Sequence, residues 1–347
     1  MNLLSKVTLS LTIASSASLA FAADKPNAQM KAVLDELAAK GGKAIETLSA
    51  EEARKQPTPA DAVKSLMEKR KIKADTTKVT SEDIMIDGAS GKIAARVYKP
   101  TTRSANRPLV VYFHGGGFVI ATNDTYDATP RSLAEMTDAV FLSVEYRKAP
   151  ENKFPAAHDD AYAAYQWALK NAVSLGADPT RIAVAGESAG GNLALNVAIK
   201  ARDQGIKIPL HEVLVYPVAG NDMNSSSYKE EADAKPLSKP MMAWFVQNYM
   251  KTPAEAMDVR INLLGANFKG LNPATIITAQ IDPLRSEGKG LAEKMENQGV
   301  KVNYKNYEGV THEFFGMAAV VDNAKKAQTM ASDDLKEAFR KNSVTGR

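Results

Sequence analysis

Apolar positions along the chain gather into eight runs of strand length, with polar turns and stretches of helical spacing between them. The first two, Ile84-Met85-Ile86 and Ile93 to Val97, are joined across Asp87-Gly88 and Gly91 and read as an opening hairpin. Six more follow at 109–113, 139–145, 181–185, 210–216, 274–279 and 300–306. Helical segments alternate with them, as Leu193, Ala194, Val197 and Ala198 illustrate. This alternation predicts an α/β fold with a mostly parallel eight-stranded sheet flanked by helices on both faces. Two segments stand outside the rhythm. Residues 28 to 70 carry helical stretches broken at Pro57 and Pro59, and Gly220 to Gly265 holds polar residues followed by Met241, Met242, Trp244, Phe245 and Tyr249.

The run Arg181 to Ala185 empties into Gly186-Glu187-Ser188-Ala189-Gly190, and helical spacing begins directly after it. A serine flanked by small residues there sits on a sharp strand-to-helix turn, because glycine lets neighbouring backbone come close. Ser188 is therefore expected to project its hydroxyl above the end of the sheet. The alternative is a surface loop that happens to hold small residues. A second signal argues against it: Leu109 to Phe113 runs into His114-Gly115-Gly116-Gly117-Phe118. Consecutive glycines cost backbone entropy, so they imply a pose or an approach that side chains would forbid. A site for an anion built from main-chain N–H groups is such a need, because acyl transfer develops negative charge on a carbonyl oxygen.

A serine hydroxyl is a weak nucleophile until a base takes its proton. The chain has four histidines. His114 belongs to the glycine loop, His158 stands at a helix start beside Asp159 and Asp160, and His211 opens the run at 210–216. His312 follows the stretch Val300 to Tyr307 and a loop containing Gly309, and the carboxyl end of a strand is where open α/β sheets carry their chemistry. His312 is the preferred base. Asp282, which closes Ala274 to Ile281, is the preferred acid to orient it. Glu287 is the rival, but its place in the following helix favours a capping or surface role.

These strings, with Tyr146-Arg147-Lys148-Ala149-Pro150-Glu151, Phe154-Pro155-Ala156-Ala157, Asp160, Asp178-Pro179-Thr180-Arg181-Ile182, Ala189 to Ala194 and Asp282-Pro283-Leu284-Arg285, resemble the bacterial hormone-sensitive-lipase-like (family IV) esterases of the α/β-hydrolase superfamily from about Ile84 to Phe315. The resemblance implies Ser188 as nucleophile, His312 as base, Asp282 as orienting acid, and the backbone N–H groups of Gly116, Gly117 and Ala189 as oxyanion hole. It also implies that segments at about 23–70 and 220–265 pack as a helical cap. The implied activity is hydrolysis of short to medium acyl esters through an acyl-enzyme, with no metal or organic cofactor. An amidase or peptidase on the same triad, a long-chain lipase and a non-catalytic ligand-binding protein are the alternatives. Three positions depart from the family pattern: Glu187 before the serine, Glu313 after the histidine, and Ser286. None is expected to touch the reacting atoms.

The amino terminus raises a separate expectation. Lys6 precedes a run without charge from Val7 to Ala23, and Ala20-Phe21-Ala22 has the form of a leader-peptidase site. A cleaved secretory signal over residues 1–22 is expected, with a periplasmic or secreted mature chain of about 325 residues (23–347) forming one α/β-hydrolase domain. The run is short of the ~20 residues that span a bilayer, so no stable membrane anchor is expected. Without cysteine the chain forms no disulfide. Of its 44 Lys and Arg only Lys6 lies in the leader, leaving 43 against 40 acidic residues. So even a balance, densest in base at Lys69-Arg70-Lys71 and Lys73, points to no nucleic-acid partner. The expected partner is a small-molecule ester. No histidine spacing suits zinc.

Overall fold

The computed structural model describes residues Asp24–Val344, so the expected leader at 1–22 lies outside the described residues. Three helices come first: α1 (Ala28–Ala39), α2 (Ala50–Ala53) and α3 (Pro59–Lys69). Asn27 caps α1 by accepting from the Met30 N–H, and Thr58 and Asp61 form a reciprocal capping box on α3. Pro59 therefore starts a helix where the sequence suggested a break. It occupies the first turn, where the N–H it lacks would have no helical acceptor.

The sheet follows with β1 (Val79–Gly88), β2 (Gly91–Pro100), β3 (Arg107–Phe113), α4 (Ala128–Thr137), β4 (Val140–Val144), α5 (Ala156–Asn171), β5 (Ala177–Glu187), α6 (Ala189–Asp203) and β6 (Glu212–Val215). After α7 (Ser226–Glu230) and α8 (Lys239–Tyr249) come β7 (Ala274–Ile281), α9 (Arg285–Asn297), β8 (Val302–Thr311) and α10 (Asp322–Val344). Among the described residues the strands form one eight-stranded sheet ordered β1-β2-β4-β3-β5-β6-β7-β8. The pairs β1–β2 and β2–β4 are antiparallel and the rest parallel, as the alternation predicts.

Strand neighbours face opposite ways, so each central strand feeds two cores. Val111, Val184, Leu214 and Ile276 pack on the face that also holds Leu193 and Val197 of α6 and Leu291 of α9. Val110, Ala183, Val213 and Ile277 pack on the other, with Leu133 of α4 and Ala327 and Leu335 of α10. This two-sided burial is why the runs are almost wholly apolar.

Three strands run four or more residues past an end of the runs that announced them. β1 begins at Val79, five positions before Ile84, because an edge strand exposes Thr80 to Asp83 and needs no apolar alternation there. β5 begins at Ala177, across a register shift against β3. β8 continues through the expected loop to Thr311: after Ala279 pairs with Tyr307, Ile281 pairs with Thr311. The bulge is anchored at Gly309, which has φ 68 and donates to Gln280 Oε1 at 2.7 Å.

One core group works against stability. Glu212, at the start of β6, is fully buried and neither carboxyl oxygen has a hydrogen-bond partner. Burial pushes its pKa well above the ordinary carboxyl value. Since the folded state then holds a proton that the unfolded state releases, stability falls as pH rises above ~4.5, by up to about 1.4 kcal/mol per pH unit until the folded pKa is reached. Glu212→Gln removes this titration. Denaturation should show the variant gaining on the wild type steadily from pH 5 to pH 8; a difference independent of pH would refute the account.

Candidate active site

Ser188 follows β5 and immediately precedes α6. Its φ of 56° and ψ of −118° lie outside the allowed regions for an L-residue, a strain of about 1–3 kcal/mol held by its surroundings. The Ser188 N–H donates to Val215 O of β6 at 2.8 Å. The flanking glycines are required by contact: a Cβ on Gly186 would stand 2.1 Å from Gly190 O, and one on Gly190 would stand 1.9 Å from Phe113 O. The turn therefore closes against β3 through bare backbone.

The bulge in β8 delivers His312 beside this turn, and Asp282 leaves the end of β7. His312 Nε2 lies 2.9 Å from Ser188 Oγ, and His312 Nδ1 lies 2.7 Å from Asp282 Oδ2. The other Asp282 oxygen accepts from the Leu284 N–H at 2.9 Å, which fixes the carboxylate. Nδ1 then carries the proton toward Asp282, leaving Nε2 to accept from the serine hydroxyl. Burial alone would lower the His312 pKa, but the Asp282 carboxylate outweighs it, with help from Glu313 and Glu187, and the imidazole ends above its ordinary value. The three residues singled out from the sequence are thus in one hydrogen-bonded row.

The glycine loop lies at the end of β3. Gly116 and Gly117 have φ of 96° and 59°, and a Cβ on Gly116 would meet Ile120 O at 2.4 Å. Tyr146 OH straps the loop by donating to His114 O and Gly115 O at 2.9 and 3.1 Å, and its ring stacks on His114. Among the described residues the N–H groups of Gly116, Gly117 and Ala189 meet no backbone or side-chain acceptor. Both glycines line the same cavity as Ser188 and His312.

That cavity measures about 800 Å³. Leu34, Leu37 and Ile45 wall it from the amino-terminal segment, and Met241, Phe245 and Met250 from the segment between β6 and β7. The two segments also hold each other, since Trp244 Nε1 donates to Leu48 O at 3.0 Å. Trp244 thus docks α8, whereas Phe245 reaches the reaction site: a Cβ on Gly117 would fall 2.2 Å from its ring. His158, one of the rejected bases, is buried between Tyr249 OH (2.8 Å) and Asn192 Oδ1 (2.9 Å), joining α8 to α6. Burial lowers its pKa to about 4, so it serves as a neutral strut. His211 is likewise buried, against Thr275 Oγ1.

Several positions differ from their sequence reading or were not found by it. Glu287 is neither a cap nor on the surface: it is buried and accepts the Ala219 N–H at 2.8 Å, and burial raises its pKa to about 7. It holds the chain leaving β6, and Ser286 joins it there by bonding Ser226 and Ser227. Glu187 is buried next to Ser188, where Tyr112 and Tyr216 each donate to it at 2.5 Å; burial pushes its pKa up to about 7. Glu313, expected not to touch the reacting atoms, stands close without a hydrogen bond to them. Its Oε1 is 3.9 Å from His312 Nε2, because a φ of 72° turns the side chain back toward the site. The tyrosines were visible only as members of apolar runs; a buried phenol that must find an acceptor was the available clue.

Among the described residues no group of three or more His, Asp or Glu could hold a metal ion, and no helix is long and apolar enough to cross a membrane.

Comparison with known proteins agrees with this geometry. Residues 110–316 match the α/β-hydrolase fold family. A carboxylesterase of Mycobacterium tuberculosis is 39% identical over 251 residues, covering 71% of this chain and 79% of its own. An ethyl acetate hydrolase of Pseudomonas putida is 31% identical, covering 84% and 92%. The crystal structure of a thermostable esterase from Pseudomonas putida superposes with a TM-score of 0.82 at 32% identity, over 93% of this chain and 99% of that one. The chain belongs to the α/β-hydrolase fold family, in its hormone-sensitive-lipase-like branch.

Proposed function

We propose that the protein is a serine carboxylesterase that hydrolyses short- to medium-chain acyl esters through an acyl-enzyme. The observation that carries this reading is the row from Ser188 Oγ through His312 to Asp282, with spacings of 2.9 and 2.7 Å. His312 Nε2 takes the Ser188 proton as Oγ attacks the ester carbonyl. The N–H groups of Gly116, Gly117 and Ala189 receive the oxyanion, each good donor contributing about 3 kcal/mol to the transition state. His312 returns the proton to the departing alcohol, and Asp282 stabilises the imidazolium meanwhile. Water then enters, gives its proton to the same Nε2, and releases the acid.

The apolar walls contributed by residues 28–70 and 220–265 suit a cap that shapes the acyl pocket. The ester hydrolases among the relatives support the substrate class, and the ethyl acetate hydrolase supports small esters within it. The leader pattern Lys6, Val7 to Ala23 and Ala20-Phe21-Ala22 supports export to the periplasm or beyond. One preparation tests all of this. Isolated from its host, the mature chain should start at Ala23 and cleave p-nitrophenyl butyrate or hexanoate best, with kcat/KM about tenfold or more lower for laurate. A chain starting at Met1 would refute export, and a rate that rises through laurate would refute the substrate range.

A further inference from the structure

Acyl transfer as described uses one charged group of the site only through its field on His312. Glu313 occupies backbone at φ 72, a conformation that disfavours any side chain, yet it carries a long charged one. Its carboxylate is held in place by Tyr126, whose hydroxyl lies 2.6 and 2.7 Å from the two oxygens. Tyr126 is itself buried, so the clamp is fixed. Oε1 stands 3.9 Å from His312 Nε2, the nitrogen facing Ser188 Oγ, and Glu313 lines the same cavity as both. One neutral phenol does not cancel a carboxylate. Among the described residues its ion-pair partner is His312 alone, and Lys148, which also lines the cavity, is engaged by Glu145 and by Ala121 O at 2.7 Å.

The place of this charge matters because of what must come near Nε2. To be protonated, the departing oxygen comes within about 3 Å of that nitrogen, and the carbons attached to it pass the Glu313 carboxylate. We propose that Glu313 is a specificity-determining anion beside the leaving group, selecting esters whose alcohol carries a cationic nitrogen two carbons from the ester oxygen and rejecting those whose alcohol is anionic. The inference rests on the ester-hydrolysis reading above. It has a kinetic signature: the alcohol departs with acylation, so the charge acts on kcat/KM and leaves a deacylation-limited kcat unchanged.

The test compares three butyrate esters of similar size by acid release: butyrylcholine, its neutral carbon isostere dimethylbutyl butyrate, and anionic sulfoethyl butyrate. For the wild type, kcat/KM should be about tenfold higher for butyrylcholine than for the isostere and lower again for the anion, with the differences shrinking at high salt. Glu313→Gln keeps the size and an oxygen for Tyr126, and should bring the cation-to-neutral ratio to about one. A wild-type ratio of one or below, or a ratio that survives both Glu313→Gln and high salt, overturns the inference while leaving the esterase reading intact. Failure of the wild type to cleave even the neutral ester overturns both.

Discussion

Replacing Ser188 with alanine is expected to lower kcat on p-nitrophenyl butyrate by about 10⁶, to the rate supplied by binding and the oxyanion donors alone. The size of the loss follows from the geometry: among the described residues Ser188 Oγ is the one hydroxyl bonded to His312 Nε2, at 2.9 Å, and Asp282 Oδ2 orients that ring through Nδ1 at 2.7 Å. Stability should hardly change. Ser188 makes its fold-bearing contacts through its backbone, to Val215 O, Asn192 N and Val218 N, and alanine keeps all three. Circular dichroism and melting temperature close to the wild type, together with steady-state rates, check the prediction. A variant within about tenfold of wild-type activity would remove Ser188 from the mechanism. His312→Ala should behave almost alike, since residues of such a row act as a unit.

The second large effect is structural. Gly190→Ala places a Cβ 1.9 Å from Phe113 O and 2.5 Å from His114 O, against main chain on which no side chain can rotate away. Either α6 or the end of β3 must shift, and both carry the site: α6 begins at the residue after Ser188, and β3 ends at the glycine loop. Such a collision in a buried contact belongs with the largest single-residue effects, about 4 kcal/mol or more, a fall in melting temperature of about 10 °C. Activity should fall further than the folded fraction, because the oxyanion donors move with the backbone. A melting temperature within about 2 °C of the wild type would show that the turn does not close as described.

How much of this was legible in the residues can be stated by element. The central strands announced themselves because burial on both faces makes the buried stretches of β3, β5, β6 and β7 mostly apolar. Where that cause was absent the reading fell short. The polar outer half of β1 is an edge, and the end of β8 is a bulge in which Gly309 answers to Gln280, a partner remote in sequence. Ser188, Asp282 and His312 were legible because each stands at the carboxyl end of a strand, and the sheet brings those ends together. Glu287 was misjudged because one turn into a helix looks like surface until the neighbouring segment is known; here the Ala219 N–H covers it. The nearness of Glu313 to His312 was not legible because a left-handed residue reverses the direction its side chain would otherwise take. Pairings of Glu187 with Tyr112 and Tyr216 join β5 to β3 and to the segment after β6, that of Tyr126 with Glu313 joins the segments before α4 and after β8, and no local spacing encodes them.

The central claim is covalent acyl transfer to Ser188, and the covalent species can be caught. The wild type mixed with p-nitrophenyl butyrate, acid-quenched during the initial burst and digested, should carry the butyryl group on the peptide containing Gly186 to Gly190, and the Ser188→Ala variant should carry none. Butyryl on a different residue, or a wild type that turns over the ester with no acylated peptide at any quench time, would contradict it.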